Sequence, residues 1–185
     1  MRVIAGTARG RRLHVPSGYH VRPTADRTKE ALFASLQPRL HGARVVDVFA
    51  GTGALGIEAL SRGASTATFV ERSKPVTRVL RENLELVGLA DGAMIVPREA
   101  IPALREELPG APFDIAVLDP PYDIDPEELA TVLELLQDAL SPGAVVVVEL
   151  SRHGGAPRWP HRLDPREERR YGDTVLHVAT LADAA

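Results

Sequence analysis

The sequence contains no cysteine, which excludes disulfides and any metal site built on thiolates. No apolar run is long enough to cross a bilayer, and the first residues lack the apolar stretch of a signal peptide. A cytoplasmic protein is therefore expected. His14, His20, His41, His153, His161 and His177 show no metal-ligand spacing, so no metal is expected. There is no G-x-S-x-G nucleophile elbow, no internal repeat and no low-complexity linker. The single tryptophan, Trp159, sits between Arg158 and Pro160 and is expected to lie half-buried under a loop.

What is present suits one ordinary globular domain: 185 residues, 44% hydrophobic and 25% charged. A net charge of -3 argues against a general nucleic-acid binder, but the charge is unevenly placed. The leader carries Arg2, Arg9, Arg11, Arg12, Arg22, Arg27 and Lys29 against only Asp26 and Glu30. Such asymmetry suits a basic arm meeting a polyanion; a solvated arginine-rich hairpin without a partner is the alternative.

Residues 1–38 read as an extension: two short strands, Arg2–Ala5 and Arg11–Val15, around Gly6 to Gly10, a loop over Ser17–Pro23, and a helix capped by Thr24 or Asp26 and ended by Pro38. Residues 39–185 read as the main domain, in strict strand–helix alternation. Strands are expected over Arg44–Phe49, Ser65–Glu71, Ala93–Pro97, Phe113–Leu118 and Ala144–Leu150. Helices are expected over Ala54–Arg62, Lys74–Gly88 and Glu99–Leu108, then from an Asp125 cap with Pro126 in first position and apolar residues recurring to Leu140. Alternation of this kind means a parallel sheet with helices on both faces. Arg166–Tyr171, a Gly172-Asp173 turn and Thr174–Leu181 should add an antiparallel hairpin at one edge.

Two stretches carry chemistry. The first is Phe113–Tyr122, FDIAVLDPPY, a buried strand that stops at Asp119, Pro120, Pro121 and Tyr122. Neither proline donates a ladder hydrogen bond, and each restricts the residue before it. The carboxyl ends of parallel strands are where ligands bind. An acceptor, a rigid carbonyl and a flat ring there suit a planar group bearing an NH2. The second stretch runs from Asp47 through Phe49, Ala50, Gly51, Thr52 and Gly53 to Gly56, with G-x-G-x-x-G at the strand-to-helix turn and Glu71 ending the next strand. Glycines let the backbone approach a ligand, and Glu71 is placed for ribose hydroxyls. Taken alone this fits NAD as well as any other adenosine cofactor, or a tight turn with close helix packing. Asp47 would repel a pyrophosphate but suits a cationic ligand, and Asp119–Tyr122 has no part in hydride transfer. Both favour S-adenosylmethionine.

D-x-F-A-G-T-G-A-L-G followed by D-P-P-Y resembles the S-adenosylmethionine-dependent methyltransferases that modify exocyclic amino groups. More narrowly, the chain resembles the RsmD family of 16S rRNA (guanine-N2)-methyltransferases. Arg22-Pro-Thr24-Ala-Asp-Arg27, Glu30, Leu32-Phe33, Glu58-Ala-Leu-Ser-Arg-Gly63-Ala64 and Tyr171-Gly-Asp-Thr174 carry the likeness over nearly the whole length. Ala34 and Glu99 depart from the pattern, where the relatives more often have Asn and Asp. The resemblance implies a Rossmann-like class I fold with a mainly parallel seven-stranded sheet. It implies cofactor contacts from Arg22, Thr24, Asp47, Phe49, Ala50, Gly51, Thr52, Gly53, Glu71, Arg72, Glu99, Ala100 and Asp119. Asp119, Pro120, Pro121 and Tyr122 would be catalytic. The partner implied is 16S rRNA in the small ribosomal subunit or an assembly intermediate, gripped at its phosphates by Arg9, Arg11 and Arg12, with the enzyme a monomer. N6 of adenine, N4 of cytosine, a protein glutamine amide, NAD-dependent oxidoreduction and a non-catalytic RNA-binding module remain as alternatives to N2 of guanine.

Overall fold

Five strands rich in valine and other apolar residues build the centre of the molecule. The computed structural model describes residues 1–16 and 25–182. The sheet has the order β3-β2-β1-β4-β5-β7-β6. Its strands are β1 (Arg44–Val48), β2 (Thr66–Val70), β3 (Ala93–Val96), β4 (Phe113–Leu118), β5 (Leu140–Ser151), β6 (Leu163–Tyr171) and β7 (Thr174–Leu181). β1 to β5 are mutually parallel, and β7 runs antiparallel to both β5 and β6. The mainly parallel sheet with its terminal hairpin is the one the alternation implies, and its seven strands make the Rossmann-like architecture that the resemblance implies.

Helices cover both faces, since each strand residue pair points apolar groups to opposite sides. α1 (Ala25–Leu40), α2 (Ala54–Ser61) and α3 (Lys74–Val87) pack Leu32, Phe33, Ile57 and Leu80 on Val45, Phe69, Val117 and Val147. α4 (Ala100–Leu104) and α5 (Pro126–Leu136) pack Leu104, Leu133 and Leu136 on Val46, Leu118, Val146 and Val148. Among the described residues no helix is long and apolar enough to cross a membrane.

Four local expectations are corrected. The leader hairpin forms but is shorter than expected. The Arg2–Arg12 bridge is flanked by Val3 N–H donating to the Arg11 carbonyl, Leu13 N–H to that of Met1 and Gly10 N–H to that of Val3, while the Ile4 and Ala5 N–H groups donate to the Glu58 carboxylate at 2.8 and 3.0 Å. Pro38 does not end α1 but lies in its last turn, which runs on to bury Leu40. α4 stops at Leu104 rather than Leu108, its end tightened by Glu106 N–H bonding the Ala103 carbonyl three residues back. Leu140 does not continue α5: a short 3-10 turn intervenes and Leu140 opens β5, still buried. The Ser17–Pro23 loop, the Thr24 cap, Arg22 and Thr24 lie outside the described residues.

Glu58 of α2 holds the leader to the domain. Its side chain is fully buried, as is most of Lys29. The carboxylate takes Arg62 Nε at 2.7 Å and Lys29 Nζ at 3.5 Å, besides the two leader N–H groups. Burial lowers the Lys29 pKa, and the Glu58 and Asp26 charges oppose that shift. Breaking a buried pair from one side leaves an uncompensated charge. Glu58→Ala is therefore expected to lose about 3–5 kcal/mol of stability, read from urea unfolding. A loss below about 1 kcal/mol contradicts this account.

Candidate active site

The carboxyl ends of β1, β2, β3 and β4 open on a cavity of about 700 Å³, within the range of small-molecule sites. Phe49, Val70, Glu71, Arg72, Glu99 and Ala100 line one side of it, and Asp119 to Asp123 the other. A smaller hollow of about 100 Å³ adjoins it, with Leu129, Ser151, Pro157 and Arg158 in its wall. Asp119, Pro120, Pro121, Tyr122, Ile124 and Glu149 border both. The strand-ending corner is thus a partition between two spaces.

The corner is stiff because its backbone has few options. Ile124 N–H donates to the Pro121 carbonyl at 3.1 Å and closes the turn. Pro120 is buried, while Asp119, Pro121 and Tyr122 face solvent, Tyr122 with 61% of its surface exposed. Asp125 then caps α5 by accepting from Glu127 N–H at 2.9 Å.

The glycine loop is shaped by close packing. A Cβ on Gly53 would stand 2.2 Å from Leu80, and one on Gly56 would stand 2.3 Å from Phe69. Gly53 also needs φ +86°. Phe49 holds φ 68° without being glycine, a conformation that costs of order 1–3 kcal/mol and clusters at ligand sites. Phe49 is the loop residue that lines the cavity; Ala50, Gly51, Thr52 and Gly53 are not among its lining residues.

The acidic groups have distinct placements. Glu71 accepts from Gly51 N–H at 3.0 Å and Ser73 N–H at 2.7 Å, so its orientation is set by the two loops it joins. Glu99 precedes α4 and pairs with Arg72 at 3.7 Å. Asp47 is buried under the loop and accepts from Gly56 N–H at 2.8 Å. Burial pushes its pKa from the ordinary 3.8 to about 8; the Gly56 bond opposes this, and the Asp119 and Glu71 charges add to it.

Two residues that sequence reasoning missed belong here. Asn83 of α3 is fully buried. Its side chain accepts from His14 N–H and donates to the carbonyls of His14 and Thr52, tying the leader to the glycine loop. A lone buried Asn on an amphipathic helix gives no signal of this. Glu149 lies within β5, two residues before its end, and borders both spaces; only the β4–β5 register reveals it. Arg9, Arg11 and Arg12 are exposed. Arg11 reaches the Leu86 carbonyl at 3.0 Å. Arg9 follows Ala8, whose N–H is held by Ser61 at the far end of α2, about 12 Å from the glycine loop. Trp159 is half-buried.

The cavity carries Glu71, Glu99, Asp119, Asp123, Glu128 and Glu149 against Arg72 and Arg98. That excess disfavours a pyrophosphate and favours a ligand with positive charge and donor groups. A sulfonium, an ammonium and ribose hydroxyls fit this donor-seeking wall, so the residues present fit S-adenosylmethionine.

The Asp47 shift has a pH signature. In the folded protein the carboxyl keeps its proton to about pH 8, whereas in the unfolded chain it ionises near its ordinary value. Between the two, the unfolded state has lost the proton, so stability falls as pH rises. Asp47→Asn removes this dependence. Its melting temperature relative to wild type is expected to be higher at about pH 8 than at about pH 5; a difference that does not change with pH contradicts the shift.

The family model described as Conserved hypothetical protein 95 matches residues 1–180. Over 180 residues the chain is 37% identical to the ribosomal RNA small subunit methyltransferase D of Escherichia coli, covering 96% of this chain and 88% of the relative. The solved structure of the putative methyltransferase yhhF from Escherichia coli is similar with a TM-score of 0.87 at 33% identity, covering 100% of this chain and 99% of that one. An RNA methyltransferase from Salinibacter ruber, solved in complex with S-adenosyl-L-homocysteine, shares the fold alone, with a TM-score of 0.64 at 17% identity, covering 92% of this chain and 96% of that one.

Proposed function

The chain belongs to the family of the ribosomal RNA small subunit methyltransferases D, and we propose on that premise that it transfers a methyl group from S-adenosyl-L-methionine to the N2 amino group of a guanine in 16S rRNA. The observation that carries the reading is the partition itself. Asp119–Tyr122 borders two adjoining spaces at the carboxyl edge of the sheet, as a reaction between a bound donor and a separately bound acceptor requires.

On this reading the large cavity takes the cofactor. Glu71 accepts from the ribose hydroxyls, while Phe49 and Ala100 flank the adenine and Glu99 accepts from its amino group. When bound, the cofactor supplies an electrophilic methyl carbon on a positively charged sulfur that departs with the bonding electrons. Arg22 and Thr24 extend the same set from the leader.

The acceptor enters from the other side. Tyr122 stacks on the base, an exposed ring suited to a nucleotide drawn out of its helix. The lone pair of an aromatic amine is delocalised into the ring, so the nitrogen attacks poorly. Asp119 accepts a hydrogen bond from one amino hydrogen and the Pro120 carbonyl from the other, since the Pro121 carbonyl is committed to Ile124. Together they favour a pyramidal nitrogen whose lone pair points at the methyl carbon. As the N–C bond forms, one amino proton passes to Asp119 or to water. The rest is alignment.

Phosphates are kept off the acidic partition and gripped at the periphery by Arg9, Arg11 and Arg12. The protein acts as a monomer in the cytoplasm, on the small subunit or an assembly intermediate.

Asp119→Ala is expected to lower the methyl-transfer rate by about 10²–10³-fold, the scale of deleting one preorganised polar contact, with an unchanged melting temperature. Transfer within a few-fold of wild type contradicts the assignment. Arg12→Ala is expected to weaken RNA binding and to reduce the salt slope of log K by about one; an unchanged slope removes Arg12 from the RNA contacts.

A further inference from the structure

The end of β4 and the neighbouring stretch of β5 bring two carboxylates side by side. Leu118 pairs with Val148 in the parallel ladder, so the next residues, Asp119 and Glu149, are lateral neighbours on strands about 4.8 Å apart. Paired residues share a face. That face is marked by Val117 and Val147, two residues back, and by Leu176 of β7 opposite Glu149, all in one core cluster. Both carboxylates border the large cavity and the small hollow. Glu149 is half-buried, and the transfer step described above gives it no task.

We infer that Glu149 reads the acceptor base and selects guanine through its ring N1–H. This rests on the amino-methyltransferase reading of the site. The Watson–Crick edge of guanine carries N1–H beside the N2 amino group, two adjacent donors. Asp119 and Glu149 are two adjacent acceptors at matching strand positions. Adenine and cytosine place a bare ring nitrogen beside their amino group, and its lone pair would meet the Glu149 carboxylate. A site built to bond a substrate N–H rejects an analogue without it, because its own polar group is left unpaired.

2-Aminopurine keeps the N2 amino group, replaces N1–H by a lone pair and lacks O6, so the contact to Glu149 is read from the change that a Glu149 variant makes in the ratio of the two substrates. Small subunits are reconstituted from 16S rRNA bearing either guanosine or 2-aminopurine riboside at the acceptor nucleotide, and kcat/KM for methyl transfer is measured on each. Wild type is expected to favour guanosine by at least about 100-fold. Glu149→Gln, whose amide offers an N–H to the bare nitrogen, is expected to reduce that preference about 10-fold or more. A variant that slows both substrates alike, with the ratio kept, overturns the inference, because a merely structural role would do that. Equal use of both substrates by wild type overturns it without any variant. Wild type that forms no N2-methylguanosine on the guanosine subunits overturns instead the reading on which the inference rests.

Discussion

Like charges crowding one sheet edge are the constraint around which this molecule is arranged. Parallel pairing sets Asp47 beside Val117 and Phe69; Glu71 and Asp119, just past their strands, and Glu149, within β5, lie toward the same edge. The protein relieves part of the repulsion itself: burial and the Asp119 and Glu71 charges push the Asp47 pKa up to about 8, and Glu71 accepts from two backbone N–H groups. The remainder is an acidic cavity that a cationic cofactor and a donor-rich base edge can satisfy. The same charge repels phosphates. An enzyme of this kind must therefore grip its polyanion away from where it reacts, which gives the basic leader a physical reason to exist.

The leader is bound to that site through buried polar contacts. Glu58 gathers Lys29, Arg62 and two leader N–H groups in one place. Asn83 then links His14 to Thr52 of the glycine loop. Val3, Ala8 and Leu13 bury into the same cluster as α1, α2 and α3. The Glu58 and Asn83 side chains thus find their buried partners in the leader and tie it to α2 and to the glycine loop.

Much of this was legible in the sequence because it depends on local signals. Strand–helix alternation announced the sheet, the Asp125-Pro126 pair announced α5, and Asp119–Tyr122 announced the stiff corner at the end of β4. What was not legible depends on partners distant in the chain. The leader hairpin is cut short after Val3 because the next two N–H groups, of Ile4 and Ala5, go to Glu58, more than fifty residues on. Pro38 forfeits the bond that an N–H there would give the Ala34 carbonyl, yet the chain keeps its helical course to bury Leu40 against the domain. Glu149 became visible only once β4 and β5 had a register, and Asn83 only once α3 lay beside the leader.

The central claim is that this edge of the sheet methylates the N2 amino group of a guanine. Its most direct test is transfer from labelled S-adenosyl-L-methionine to small ribosomal subunits lacking their own modifications, followed by nucleoside mass spectrometry. The account predicts label in N2-methylguanosine of the 16S rRNA. Label in N6-methyladenosine, or none in any nucleoside, would contradict it.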